Sequence, residues 1–277
     1  MTRGSELHAL YAEIMREVRT EGNWPPGKHF LERIEEMGEA RLRQLRDEMP
    51  PPSDEVFDRE ANEFMHDLEL FMTGQCKEQG IEGIGFEVGF GTGQYTASED
   101  SIEPLSNTEP VAIALRPGRV IRLRGRIDRI NQLADGSYEI VDYKTGKFWR
   151  PGWKGVFAQG TRLQHALYSL AAHWLLNARG KKNVQIRHAA YLFPTERGWY
   201  QRVEILQDGG KQVLGVLNDL CDVIEAGAFV HAAESESCKW CEFSAACGRE
   251  RFDCAATKLA SPATDVLGSF RRLKEHE

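Results

Sequence analysis

The sequence predicts a mixed α/β fold with a helical N-terminal region, a central sheet and a cysteine-rich C-terminal segment. Apolar residues recur at helical spacing through residues 1–80. Between about 84 and 206, short runs alternate in the manner of strands and one apolar helix interrupts them. Three cysteines then fall within one short stretch. We expect a main domain from 1 to 230 and an appended segment from 231 to 277.

The N-terminal region divides into three predicted helices. Leu7 and Ile14 share one face of the first helix. Pro25-Pro26 separates the first two helices, and the prolines at 50–52 end the second. A long amphipathic helix is then predicted from about Asp54 to Gln79.

The sheet is predicted to centre on a β-hairpin. Residues 84–91 and 111–115 read as strands, and two apolar-rich runs within 122–146 flank the turn Ala134-Asp135-Gly136. The other predicted elements are a helix at 163–176, strands at 184–193 and 199–206, and a helix at 211–229.

The hairpin carries charged residues that suit a metal site. Alternate residues of a strand share a face, so Asp142 and Lys144 lie together, and Asp128 comes from the other strand. Hard divalent cations such as Mg²⁺ prefer carboxylate oxygens, and a neighbouring lysine suits an anionic substrate. The alternative is a turn aspartate and a solvated lysine. Apolar opposite faces favour the functional interpretation, because buried carboxylates need a partner.

Three arginines precede the first aspartate at alternate positions. Arg122, Arg124 and Arg126 are predicted to share the strand face of Asp128 and to form a basic track for phosphates. Solvated arginines, or arginines paired with acidic residues, are an equally good alternative for each one.

The loop after the hairpin alternates basic and aromatic residues. Lys147, Trp149, Arg150 and Trp153 are the examples nearest the hairpin, and such interleaving suits phosphates and stacked bases. The alternative, equally good for each tryptophan, is that the rings anchor the loop in the core.

Two helical regions add candidate site residues. Gln164 and Tyr168 are four residues apart and so share a helix face. A lone histidine is usually a surface or core residue. His8, near the start of the first helix and ahead of the carboxylate hairpin, is nevertheless a candidate metal ligand.

The cysteines predict a metal or cluster site. Cys238, Cys241 and Cys247 form a C-x2-C-x5-C pattern that rarely arises for packing alone. A [4Fe–4S] cluster or Zn²⁺ needs a fourth ligand, for which the candidates are Cys254, Cys76 and Cys221.

Composition limits the class of protein. The formal net charge of −7 argues against a protein that coats duplex nucleic acid through bulk charge. Neither an apolar run long enough to span a membrane nor an apolar signal core is found. We therefore expect a cytoplasmic protein whose cysteines bind metal rather than form disulfides.

Four motifs in this order resemble those of the PD-(D/E)XK nuclease superfamily, in its RecB-like branch. They are G-x-x-x-H at 4–8, G-R-I-D-R at 125–129, D-Y-K-T-G at 142–146 and Q-x-x-x-Y at 164–168. Within the branch, the chain is most similar to the C-terminal nuclease domain of AddB-type helicase–nuclease subunits and to related CRISPR-adaptation exonucleases.

The resemblance implies a restriction-endonuclease-like αβββαβ core and a metal-dependent DNA nuclease, an exonuclease on single-stranded ends in repair or recombination. The implied ligands of Mg²⁺ or Mn²⁺ are His8, Asp128, Asp142 and the backbone carbonyl of Tyr143. Lys144 would orient or activate the attacking water, and Gln164 and Tyr168 would contact the DNA backbone. A helicase subunit or domain is the implied partner.

One departure concerns the cluster. In the iron–sulfur members the first cysteine lies upstream of G-x-x-x-H, whereas only three residues precede Gly4 here and none is a cysteine. We expect either an N-terminally truncated piece of a longer protein or a substitute cysteine. The knuckle would then lack its cluster or hold Zn²⁺ with Cys254.

Two other functions are compatible with parts of the sequence. The first is a catalytically idle DNA-binding or scaffold module of a helicase–nuclease complex. The intact set His8, Asp128, Asp142 and Lys144 argues against it. The second is a zinc-knuckle interaction domain on an unrelated core, which leaves the hairpin chemistry unexplained.

Overall fold

The computed structural model describes residues 3–91, 103–153, 155–230, 238–239, 241–243, 246–248, 250–261 and 265–277. The helices are α1 (Arg3–Glu21), α2 (His29–Glu48), α3 (Asp54–Gln75), α4 (Gln164–Ala178), α5 (Lys211–Glu225), α6 (Arg251–Ala260) and α7 (Gly268–Glu275). The strands are β1 (Ile81–Phe90), β2 (Val111–Ala114), β3 (Val120–Leu123), β4 (Gly125–Leu133), β5 (Tyr138–Tyr143), β6 (Ile186–Phe193) and β7 (Gln201–Leu206). Within the described ranges, no helix has the length and apolar character needed to cross a membrane.

The three predicted N-terminal helices are confirmed. The helix α1 ends before Gly22, which has a φ of +79°, and α3 begins where Ser53 Oγ accepts the Val56 N–H at 3.4 Å. The predicted end of α3 near Gln79 is wrong, because the helix stops at Gln75. The Lys77 and Glu78 N–H groups donate to carbonyls three residues earlier, which tightens the chain after the helix, and Gly80, with a φ of +69°, precedes β1.

The main sheet has five strands in the order β1-β4-β5-β6-β7. The predicted hairpin is confirmed, since β4 and β5 pair antiparallel with Arg129 opposite Val141. The strands β5 and β6 are parallel and α4 connects them. The succession α1, β1, β4, β5, α4, β6 is therefore the predicted αβββαβ order, with β2 and β3 inserted as a separate two-stranded sheet.

The prediction that Arg122, Arg124 and Arg126 share one face of one strand is wrong. Arg122 lies on β3 and pairs with β2, Arg124 lies between strands, and Arg126 lies on β4. The cause is the end of β1. Gly91 takes a φ of +69° and turns away after Phe90, so residues before Gly125 lose that partner and pair with β2 instead.

The helix α1 packs on the sheet through an aromatic cluster. The rings of Tyr11 and Phe71 stack with centroids 3.9 Å apart, and the ring of Tyr143 meets both at its edge. All three residues are buried, as are Leu7 and Ile14. Because Tyr143 is the last residue of β5, this cluster fixes α1 against the end of that strand.

A buried polar network lies on the same face of the sheet as Tyr143, toward the other end of β5. Glu139 on β5 is fully buried, and Asn131 Nδ2 donates to its Oε1 at 2.6 Å. His188 Nε2 lies 2.6 Å from Oε2, and Arg202 pairs with the same oxygen. Burial raises the pKa of Glu139, but the contact with His188 and the charge of Arg202 outweigh it and hold the pKa at about 2.

This network predicts a loss of stability in acid. The unfolded chain protonates Glu139 near its ordinary pKa of 4.5 and the folded chain near 2. The stabilisation, about 3 kcal/mol, is therefore complete above pH 4.5 and is lost as the pH falls toward 2. Urea unfolding of the wild type and Glu139→Gln should differ most at neutral pH and converge in acid. Glu82→Gln, at an exposed position of β1, is the control, and a pH-independent difference for Glu139→Gln would contradict the prediction.

The chain divides into two compact units. One comprises 1–114, 120–153 and 164–210, and the other comprises 115–119, 154–163 and 211–277. Within the second unit, Arg119 pairs with Asp222 at 2.8 Å, and Arg272 pairs with Asp219 at 2.8 Å. The predicted domain limits, 1–230 and 231–277, stay predictions.

Candidate active site

The first site residue comes from α1. Gly4 and His8 are one helical turn apart and face the loop after β5. A Cβ at position 4 would lie 2.8 Å from Thr145 Oγ1, so the glycine lets the helix approach that loop closely. This approach brings His8 Nδ1 to 3.6 Å from Asp128 Oδ2. The structure thus places His8 beside a hairpin carboxylate, and its role as a metal ligand stays a prediction.

Asp128 occupies the centre of the site. Its Oδ2 accepts the backbone N–H of Tyr143 at 2.7 Å, which ties β4 to the end of β5. The observed register, continued by one position, places Asp128 across from Asp142. The Tyr143 carbonyl, implied as a metal ligand, stays a prediction.

Asp142 and Lys144 form a pair beside that centre. Lys144 Nζ lies 2.6 Å from Asp142 Oδ2 and donates to Gln164 Oε1 at 2.9 Å. Asp142 Oδ2 is completely buried and, apart from this ion pair, has no hydrogen-bond partner among the described residues. Gln164, the first residue of α4, therefore orients the lysine, a contact that the sequence did not predict.

The structure adds Glu87, which the sequence reasoning missed. Glu87 lies on β1 between Phe86 and Val88, whose partners are Arg129 and Ile127, so it stands across from Asp128. Ligand atoms of His8, Glu87 and Asp128 all lie within 4.8 Å of one another. The signal that could have found Glu87 is its isolation as an acid in the apolar, glycine-rich run 83–91.

The carboxylates of the site are close together, and their mutual repulsion contributes to shifts of the pKa values. Burial, together with the charge of Asp128, raises the pKa of Asp142 to about 6. Burial and the same charge also raise the pKa of Glu87. Burial lowers the pKa of His8, but the contact with Asp128 and the charges of Glu87 and Asp142 outweigh it and raise that pKa overall.

The site opens into a cavity of about 910 Å³. Its lining includes Ser5, His8, Glu87, Arg126, Asp128 and Thr145. Arg126 pairs with Glu87 at 3.3 Å. Of the three predicted arginines, Arg126 alone lines this cavity, and a role for Arg122 and Arg124 in DNA binding stays a prediction.

Tyr168 lies on the same side of α4 as Gln164, as the spacing predicts. Its ring meets the edge of Phe90 at 6.2 Å, and its hydroxyl is close to Gln164 and the backbone of Arg126. Burial raises the pKa of Tyr168. Contact of Gln164 and Tyr168 with DNA stays a prediction.

The residues present fit a divalent metal ion. One imidazole and two carboxylates converge, and the buried Asp142 Oδ2 beside them has no partner among the described side chains other than its ion pair with Lys144. Oxygen ligands with one nitrogen suit Mg²⁺ or Mn²⁺, and a cation relieves the repulsion that raises these carboxyl pKa values.

Among the described residues, no cysteine belongs to this convergent group. None of the six cysteines forms a disulfide. Cys238 and Cys247 are half-buried, whereas Cys241 and Cys254 are exposed. Several residues between them lie outside the described ranges, so a cluster or zinc site with Cys254 stays a prediction.

Comparison with known proteins agrees with this geometry. A family model described as the PD-(D/E)XK nuclease superfamily matches residues 1–248, which contain every catalytic motif identified in the sequence. A search of curated protein sequences gives no match. The family and the five-stranded mixed sheet together confirm the predicted restriction-endonuclease-like fold. The chain belongs to the PD-(D/E)XK nuclease superfamily.

Proposed function

We propose that the chain is a DNA nuclease that hydrolyses phosphodiester bonds with Mg²⁺ or Mn²⁺. The observation that carries the proposal is the convergence of His8, Glu87 and Asp128 next to the Asp142–Lys144 pair. A catalytically idle scaffold has no need of a lysine held at a fixed place beside buried carboxylates.

The side chains have separate tasks in such a reaction. His8, Glu87, Asp128 and Asp142 would hold the metal ion, together with the Tyr143 carbonyl. A bound metal supplies a hydroxide at neutral pH and neutralises charge on the phosphate.

Lys144 provides a second positive charge. Asp142 and Gln164 fix its ammonium from two sides, so little reorganisation is needed when negative charge develops on the phosphoryl oxygens. The same position lets the ammonium orient the attacking water by donating a hydrogen bond.

The finer assignment rests on the order of the motifs. The motifs support a RecB-like, AddB-like nuclease that degrades single-stranded ends during repair or recombination, with a helicase as partner. This assignment predicts that the nuclease cleaves DNA only from the ends of a strand.

The experiment that tests the function compares linear single-stranded DNA with closed single-stranded circles. We expect Mn²⁺ or Mg²⁺ to support degradation of the linear strand, and chelation by EDTA to stop it. Cleavage of the circles would contradict exonuclease action alone. Failure to cut either substrate with any divalent metal would overturn the proposed function.

Glu87 provides a test of the ligand set. Glu87→Gln keeps the size of the side chain and removes its charge, so we expect Mn²⁺ affinity to fall by about 10-fold or more. Isothermal titration calorimetry measures this directly. Glu13→Gln, which lines the same cavity outside the ligand set, is the matched control. Equal affinities for both variants and the wild type would remove Glu87 from the site.

The cysteine pattern supports a second metal, as a [4Fe–4S] cluster or Zn²⁺. We expect the chain purified without oxygen to carry iron or zinc, and Cys238→Ser with Cys241→Ser to abolish it. Cys76→Ser should retain it, because Cys76 contacts the backbone of Gly27 at 3.8 Å in the helical region. Elemental analysis and the iron–sulfur absorption band provide the measurement. Equal metal content in all variants would contradict a site at the knuckle.

A further inference from the structure

Two tryptophans are exposed at the edge of the sheet that carries the catalytic residues. Trp149 is 66% exposed and Trp199 is 64% exposed. Trp149 lies in the loop that follows β5, and Trp199 lies in the loop that follows β6. Because β5 and β6 are neighbouring parallel strands, both loops lie at the edge where Asp142 and Lys144 stand.

The loop of Trp149 is anchored on both sides of that residue. Phe148 is buried and meets Phe193 at 5.1 Å, and Trp153 meets the same ring at 5.5 Å. The core-anchor interpretation is therefore right for Trp153 and wrong for Trp149. The Phe148 N–H also donates to the Arg197 carbonyl at 3.3 Å, which joins this loop to the loop of Trp199.

The second loop is equally well held. Tyr200 turns inward, where its hydroxyl accepts from Gln75 Nε2 at 3.3 Å, and the Glu196 N–H donates to Asp67 Oδ1 at 2.9 Å. Trp199 and Tyr200 both have a positive φ, +53° and +49°, a backbone conformation that residues other than glycine rarely adopt. This backbone turns the partly buried tyrosine inward and directs the tryptophan outward.

The charges around the two rings suit a polyanion. The stretches 144–153 and 194–200 contain four basic residues, Lys144, Lys147, Arg150 and Arg197, and one acid, Glu196. Arg197 pairs with Glu63 at 2.7 Å but remains 61% exposed. The two loops are therefore basic in themselves, although Asp142, Glu63 and Asp67 contact them, whereas the chain as a whole has a net charge of −7.

We propose that Trp149 and Trp199 stack on unpaired bases of a single-stranded nucleic acid whose backbone enters the catalytic cavity. The inference rests on the proposed nuclease function and adds the residues that would bind the bases of the substrate. Base faces are free only in a single strand, and indoles on rigid loops offer large flat surfaces at low entropic cost. Lys147 and Arg150 would contact the intervening phosphates.

Binding in EDTA tests the inference separately from catalysis. The probes are a labelled twelve-residue oligothymidylate and a strand with the same phosphates and no bases, followed by fluorescence anisotropy at low salt. We expect Trp149→Ala and Trp199→Ala each to bind the base-containing strand about 5- to 100-fold more weakly than the wild type. Both should bind the abasic strand as the wild type does, and Trp149→Phe should restore most of the affinity.

Leu206→Ala is the matched control. Leu206 is an 80% exposed apolar residue, and it pairs with His188 at the opposite end of β6. Wild-type affinity of both tryptophan variants, or equal losses on the two strands, would overturn the inference. Tighter binding of duplex DNA that depends on the same tryptophans would overturn it as well. Absence of metal-dependent cleavage would instead count against the proposed function.

Discussion

Lys144→Ala is expected to slow DNA cleavage by about 100- to 1,000-fold or more while Mn²⁺ binding persists. The ammonium lies between Asp142 and Gln164, and its loss removes the fixed positive charge beside the reacting phosphate. Single-turnover cleavage at saturating protein measures the chemical step, and calorimetry measures metal affinity. Removing a cation next to Asp142 should leave metal affinity equal or increase it.

Lys181→Ala, on the exposed turn after α4, is the control for this prediction. A Lys144→Ala variant that cleaves at the wild-type rate would exclude the lysine from the mechanism. A variant that also loses Mn²⁺ binding would show that Lys144 supports the fold of the site rather than the chemistry.

Asp128→Asn is expected to have the largest effect, because this residue meets three others. Its Oδ2 lies 3.6 Å from His8 Nδ1 and 2.7 Å from the Tyr143 nitrogen, and Glu87 completes the convergent group. Asparagine still accepts the Tyr143 N–H through its amide oxygen, so the substitution removes the charge and preserves the tie between strands. We expect Mn²⁺ affinity to fall about 100-fold or more and cleavage to become undetectable.

The thermal midpoint of Asp128→Asn should be unchanged or higher, since the Asp128 charge opposes ionisation of Glu87 and Asp142. Asp58→Asn, on the exposed face of α3, is the matched control for the loss of one negative charge. A large fall in the thermal midpoint, or retained cleavage, would contradict a metal-binding role.

Part of the site was predictable because three of its residues, Asp128, Asp142 and Lys144, lie close together in the chain. The turn at 134–136 and the alternation on either side define the hairpin, and the hairpin fixes Asp128, Asp142 and Lys144. The prediction of His8 as a site residue used its spacing from Gly4, whose missing Cβ allows α1 to contact Thr145. These are local signals that act through short-range geometry.

The features that could not be predicted depend on pairing between distant segments. Glu87 reaches the site only because β1 pairs with β4, and its own sequence has no catalytic motif. The division of Arg122 from Arg126 depends on where β1 ends, which is set by the backbone of Gly91. The exposure of Trp199 follows from Tyr200 turning inward beneath α3. Each of these outcomes is decided by tertiary contacts rather than by spacing.

The central claim is that His8, Glu87, Asp128 and Asp142 form one metal centre. Anomalous diffraction from crystals of the wild-type chain soaked in Mn²⁺, at a concentration that supports cleavage, tests it most directly. We predict a strong anomalous peak among these four side chains, beside the Lys144 ammonium. Mn²⁺ peaks found only elsewhere, with none among these four side chains, would contradict the claim.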